Sequence, residues 1–170
     1  MAKKTTLKPI GLKYGEVGAE ATVQLMGVLR GLTIAQDEPE STEIEAEFYD
    51  APFDIFYQGN PVTMTFELAN YGLSELTPLF GGTHADGTSS VGETYEGAPS
   101  AFTSEHSWEL SFGRGFGTLY LYKGLTIGTL KKDADGALNY NVTITALVYT
   151  DTTVTPNVDH MYKIVGDKTT

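Results

Sequence analysis

Pro61-Val62-Thr63-Met64-Thr65-Phe66-Glu67-Leu68 alternates apolar and polar residues along its whole length. Successive side chains of an extended strand point to opposite sides, so Val62, Met64, Phe66 and Leu68 share one face and Thr63, Thr65 and Glu67 the other. This is the pattern of an antiparallel strand with one side in a core and one in water. The same period of two recurs in Glu43-Ile44-Glu45-Ala46-Glu47-Phe48, in His106 to Phe112 and in Asn141 to Tyr149. Further strands are expected near Leu32–Ala35, Phe53–Tyr57, Thr118–Tyr122, Leu125–Leu130 and His160–Val165. Asp135-Gly136 reads as a hairpin turn, Gly59-Asn60-Pro61 as a turn feeding the long alternating strand, and Gly124 as a break between two strands.

One segment departs from this period. From Asn70 to Gly82, the residues Leu73, Leu76, Leu79 and Phe80 fall at helical spacing, with Asn70 as a candidate N-cap and Gly81 as the stop. Pro78 inside that span limits the helix to a short one. The reading is a short amphipathic helix over about 71–80, lying on an open side of a sheet. A glycine-rich stretch follows, about 81–104, without clear periodicity. A loop of that length is either functional or hides an element. The fold class is therefore mainly β: an antiparallel sandwich or barrel-like domain with one flanking helix and a long loop.

The chain has 170 residues, which fits one domain, residues 1–170. Its 19 glycines, 10 tyrosines and many threonines favour β structure. No apolar run is long enough for a membrane span, and no signal peptide is visible at the start. With no cysteine, disulfides, thiolate metal sites and cysteine nucleophiles are excluded. The formal net charge is −11, which disfavours stable binding to nucleic acid or anionic lipid. The charge is uneven. Residues 1–13, a basic arm, carry Lys3, Lys4, Lys8 and Lys13 and no acid, whereas Asp37 to Asp54 carry eight acids and no base. Such a pair of segments invites pairing within or between subunits.

No catalytic constellation stands out. His84, His106 and His160 are separate in sequence, and neither HExxH nor G-x-S-x-G occurs. Gly113-Arg114-Gly115-Phe116-Gly117 lacks the spacing of a phosphate loop and reads as a turn. Asp133-Ala134-Asp135-Gly136 echoes a calcium loop, but Lys131 stands where an acid is required. Glu43, Glu45 and Glu47 share one face of one strand rather than facing each other across a cleft. No enzyme, cofactor or metal is expected.

The order of elements from Glu38 to Thr83 resembles the tail tube (major tail) proteins of long-tailed bacteriophages, particularly those of Bacteroides-type phages and prophages. The carrying phrases are the acidic strand Ser41–Phe48, the turn Asp50-Ala51-Pro52, the run Phe53–Pro61, the strand Val62–Leu68 and Leu79-Phe80-Gly81-Gly82-Thr83. Ile10-Gly11-Leu12-Lys13-Tyr14-Gly15 is similar too. The resemblance implies a virion protein, made in the bacterial host cytoplasm. Six subunits would form a ring, and rings would stack into a hollow tube through which phage DNA passes without stable binding. It also implies tape-measure and tail terminator or tip proteins as partners. Under this reading Glu43, Glu45, Glu47, Thr63, Thr65 and Glu67 line the lumen. Lys3, Lys4, Lys8 and Lys13 would strap across a seam to Asp37, Glu38 and Glu40 of a neighbour, and His84, Asp86 and Tyr95 would serve ring contacts. Another β-rich virion or surface module, such as a head–tail connector, a capsid decoration domain or a carbohydrate-binding sandwich, is the alternative.

Overall fold

Apolar residues at every second position leave each strand with one side to hide, and antiparallel pairing lets several strands hide that side together. The computed structural model describes residues 9–36, 40–44, 54–58, 61–97, 103–112, 117–134 and 136–166. In chain order the elements are β1 (Pro9–Gly15), β2 (Val23–Gln24), β3 (Val28–Gln36), β4 (Glu40–Ile44), β5 (Asp54–Gln58), β6 (Val62–Ala69), α1 (Leu73–Phe80), β7 (Thr83–Ala85), β8 (Thr94–Glu96), β9 (Thr103–Phe112), β10 (Thr118–Lys132), β11 (Leu138–Ala146), β12 (Tyr149–Asp151), β13 (Val158–His160) and β14 (Tyr162–Val165). The protein is mainly β, with one short helix, and is sandwich-like. An eight-stranded antiparallel sheet runs β2-β1-β9-β10-β11-β6-β3, with β14 also on β10, and three two-stranded ladders stand outside it.

Burial follows the alternation. Val62, Met64, Phe66 and Leu68 are buried, while Thr63, Thr65 and Glu67 on the other side of β6 are partly open. Leu12 and Tyr14 of β1, Trp108 and Leu110 of β9, Leu119 and Leu121 of β10, and Val142 and Ile144 of β11 join the same core. The helix adds Leu76, Leu79 and Phe80 to it. Phe80 stacks on Tyr140 at 5.0 Å.

The helix is tied at both ends, by its own Glu75 at the start and by side chains from elsewhere at the finish. Asn70 is not its cap. Asn70 has φ 50° and turns the chain in the left-handed region, and Gly72 takes the N-cap position. The Glu75 carboxylate accepts from the Gly72 N–H at 3.1 Å and from the Met26 N–H at 2.6 Å, tying the helix start to the segment before β3. At the other end the terminal carbonyls lack intrahelical partners. Tyr95 donates to the Gly81 oxygen at 2.8 Å and Ser104 donates to Leu79. His106 Nε2 lies 2.7 Å from the Pro78 oxygen, which can only accept, so that nitrogen carries the proton. Gly81 ends the helix at φ 70°, ψ −156°, a region open essentially to glycine alone.

Three features differ in detail from the sequence reading. β10 is one strand of 15 residues, and Gly124 lies within it. The break expected there is a register shift against β9 between Leu121 and Gly124, where a bulge absorbs an extra residue without ending the strand. The stretch 81–104 contains the β7–β8 ladder, with Thr83 opposite Glu96. β11 and β14 occupy one row of the sheet: Ala146 faces Gly124 and Tyr162 faces Leu121, with the β12–β13 ladder in the excursion between.

The β4–β5 ladder keeps the register of β3–β6. Gln36 faces Val62 and Glu40 faces Gln58, so four residues along one strand match four along the other. Among the described residues the two ladders share the alignment of one long hairpin.

Candidate functional site

The side of the sheet away from the core is a band of short polar residues. Thr65 lies between Thr33 of β3 and Thr143 of β11, Thr63 between Ala35 and Thr145, and Glu67 between Arg30 and Asn141. Thr33 and Thr65 share a hydrogen bond of 2.5 Å between hydroxyls, and Thr63 donates to the Ala35 oxygen at 3.4 Å. Threonine is favoured here because its branched Cβ suits a strand while its hydroxyl tolerates water.

Glu67 does not stand as a bare anion. Its carboxylate lies 3.1 Å from Lys131 Nζ and 3.6 Å from Arg30, and it accepts from the Asn139 amide at 3.2 Å. Asp133 meets the same partners: Lys131 at 3.4 Å, Arg30 at 3.9 Å and Asn139 at 2.5 Å. The hydrogen bond that Lys131 donates to Glu67, then the charge of Glu67 and the hydrogen bond and charge of Asp133, hold the Lys131 ammonium above its ordinary pKa. Two cations thus meet two carboxylates, and this end of the band is balanced rather than anionic. No local pattern announces it, since Arg30, Glu67 and Lys131 are brought together by strand register. Asp133, read as part of a failed calcium loop, is instead a member of this network.

Asn139 makes a test possible, because it is 2% exposed and gives one amide proton to each carboxylate. Glu67→Ala should strand one of those protons in the interior at a cost of about 1–2 kcal/mol. Glu67→Gln keeps an acceptor and should cost less than half as much by denaturant unfolding. Equal losses would show that Asn139 does not depend on this position.

The other predicted residues fall into three groups. Glu43 faces Ile55 in the β4–β5 ladder and Glu40 faces Gln58, whereas Glu45, Glu47, Asp37, Glu38, Lys3, Lys4 and Lys8 lie outside the described residues. Lys13 pairs within its own subunit, with Glu109 at 3.1 Å on the neighbouring strand. His84, Asp86 and Tyr95 gather around the β7–β8 ladder. His84 Nε2 lies 2.6 Å from Glu93, its Nδ1 lies 3.9 Å from Asp86, and Tyr95 reaches back to the helix end. Burial raises the Tyr95 phenol pKa, as it does for Tyr14, Tyr71 and Tyr140.

Both lateral limits of the sheet are strand edges. Among the described residues β3 pairs with β6 alone over its span in the main sheet, and the segment of β2 covers Leu12 to Tyr14 of β1, the Leu25 N–H and the Gln24 amide both donating to the Leu12 oxygen. Unpaired N–H and C=O groups along such edges are ready to take another strand. Among the described residues no three His, Asp or Glu side chains group closely enough to hold a metal ion, and no helix is long and apolar enough to cross a membrane. Compared with known proteins, the chain matches no protein-family model and no curated protein.

Proposed function

We propose that this protein is a structural subunit that assembles edge to edge into rings, stacked as the hollow tail tube that conducts phage DNA. The observation that carries this reading is the two-sided sheet. One face is filled by the core, and the other is a hydrated threonine band with its charges neutralised in pairs. A sheet closed into a barrel needs these two opposed faces along every strand. A lumen lined by hydroxyls and paired charges gives passing phosphates nothing to grip, because affinity for DNA grows with the number of unpaired cations presented to it. The edges at β3 and β1 supply what a ring closes on, and closure uses up surfaces that would otherwise pair without limit.

The chemistry involved is assembly rather than turnover, and the partners are further copies, with tape-measure and terminator or tip proteins at the tube ends. Negative-stain electron microscopy of the purified protein at rising concentration tests this directly. Rings or hollow rods are expected. A population of monomers at every concentration would overturn the reading in favour of another β-rich virion or surface module.

A further inference from the structure

The turn between β1 and β2 folds against β9 and β10 and leaves a cavity of about 270 Å³ between them. Gly18 fixes the turn. It has φ 76° and donates its N–H to the Tyr122 oxygen at 2.9 Å, and a Cβ there would collide with the Tyr149 ring. Ser107 faces Gly15 in the β1–β9 ladder, and Tyr120 faces Lys163 in the β10–β14 ladder. By strand alternation Ser107 and Tyr120 lie on the side opposite the core residues Trp108 and Leu121. Two features set this cavity apart. Ser107 is 3% exposed and lines it, yet its hydroxyl has no hydrogen-bond partner among the described residues. A buried hydroxyl in that state costs free energy that an incoming polar group recovers. Glu20 and Lys163 also line the cavity, both exposed, and among the described residues neither makes an ion pair. Lys13, Lys123 and Lys131 by contrast each meet a carboxylate.

We propose that this cavity binds a single neutral sugar ring of pyranose size. Its volume falls below the range of about 300–1,000 Å³ typical of sites for larger ligands, which leaves room for one ring and not for a chain. The buried polar group is a neutral hydroxyl. A ligand charge placed against it would lose water and gain no counter-charge, whereas a sugar hydroxyl both donates to and accepts from Ser107. At the exposed end the needs are opposite and a polyol meets both: one hydroxyl accepts from the Lys163 ammonium and another donates to the Glu20 carboxylate. Half-buried Tyr120 adds an apolar ring face for the C–H side of the sugar and a polar tip for its rim. Every wall belongs to one subunit, so binding does not depend on ring assembly.

Saturation-transfer NMR on the full chain tests this, with glucose, galactose, mannose and N-acetylglucosamine as probes and serine as a small zwitterion for comparison. At least one sugar should receive saturation at its ring protons. Ser107→Ala and Tyr120→Ala should each weaken its binding about fivefold, the worth of one hydrogen bond or one ring contact. Signal from serine and from no sugar would change the class of ligand and overturn the proposal. Silence from every probe, or a sugar signal that survives both substitutions, would overturn it too. A second measurement does not depend on the choice of sugar. Ser107→Ala removes a buried hydroxyl that bonds to nothing in the protein, so the melting temperature should hold or rise. A fall of several degrees would show that this hydroxyl already has a structural bond, directly or through water, and is not held open for a ligand.

Discussion

Valine at position 128 is expected to destabilise the protein by about 3–4 kcal/mol and to lower its melting temperature by roughly 10 °C. A Cβ there would collide with Phe80 Cε1 and stand 2.7 Å from its Cζ. The ring cannot step aside, because Phe80 is fully buried and stacked on Tyr140. The helix that carries it would have to lift, and with it the contacts made to its last carbonyls by Ser104, His106 and Tyr95. Strand propensity and the smaller unfolded-state entropy of valine favour the substitution by about 1 kcal/mol, too little to offset the clash. Phe80→Leu should cost stability alone yet restore part of it in combination with Gly128→Ala, the mark of two positions sharing one space. Simple additivity of the two losses would mean that the ring and the glycine are not coupled.

A lysine at Thr33 is expected to leave the monomer folded, with a melting temperature within a few degrees of the parent, and to reduce the assembled fraction at least tenfold by sedimentation. Thr33 is exposed on β3, the strand with which the main sheet ends. Charged side chains on an edge oppose the addition of a further strand, since docking would bury the charge. The lost hydroxyl contact with Thr65 is a surface one and costs little. Full-length rods from this variant would rule out the proposed closure of a ring through β3.

Local period and register carry different amounts of the fold. Val62–Leu68, His106–Phe112 and Asn141–Ala146 announce themselves because each alternation lies within a few consecutive residues. The helix is legible for the same reason, through Leu73, Leu76, Leu79 and Phe80. Gly124 misleads because glycine punctuates chains in general, whereas here a bulge lets β10 continue. The function of Gly128 is invisible locally: it is defined by Phe80, far away in the chain, occupying the place of its side chain. The polar face was half legible. Thr63, Thr65 and Glu67 follow from alternation, but the partners that neutralise Glu67 come from β3 and from the β10–β11 hairpin, and strand pairing alone brings them together.

The row shared by β11 and β14 has a practical consequence. The chain leaves the sheet after Ala146 and returns at Tyr162 only three β10 positions further along, about 10 Å away. The fifteen residues spent outside are therefore a detour that the strand order does not require. Exchanged in its exposed part, between Asp151 and Val158, for a foreign peptide, this detour is a natural port for displaying cargo, while Tyr149, His160 and Met161 keep their contacts with Tyr122 and the core.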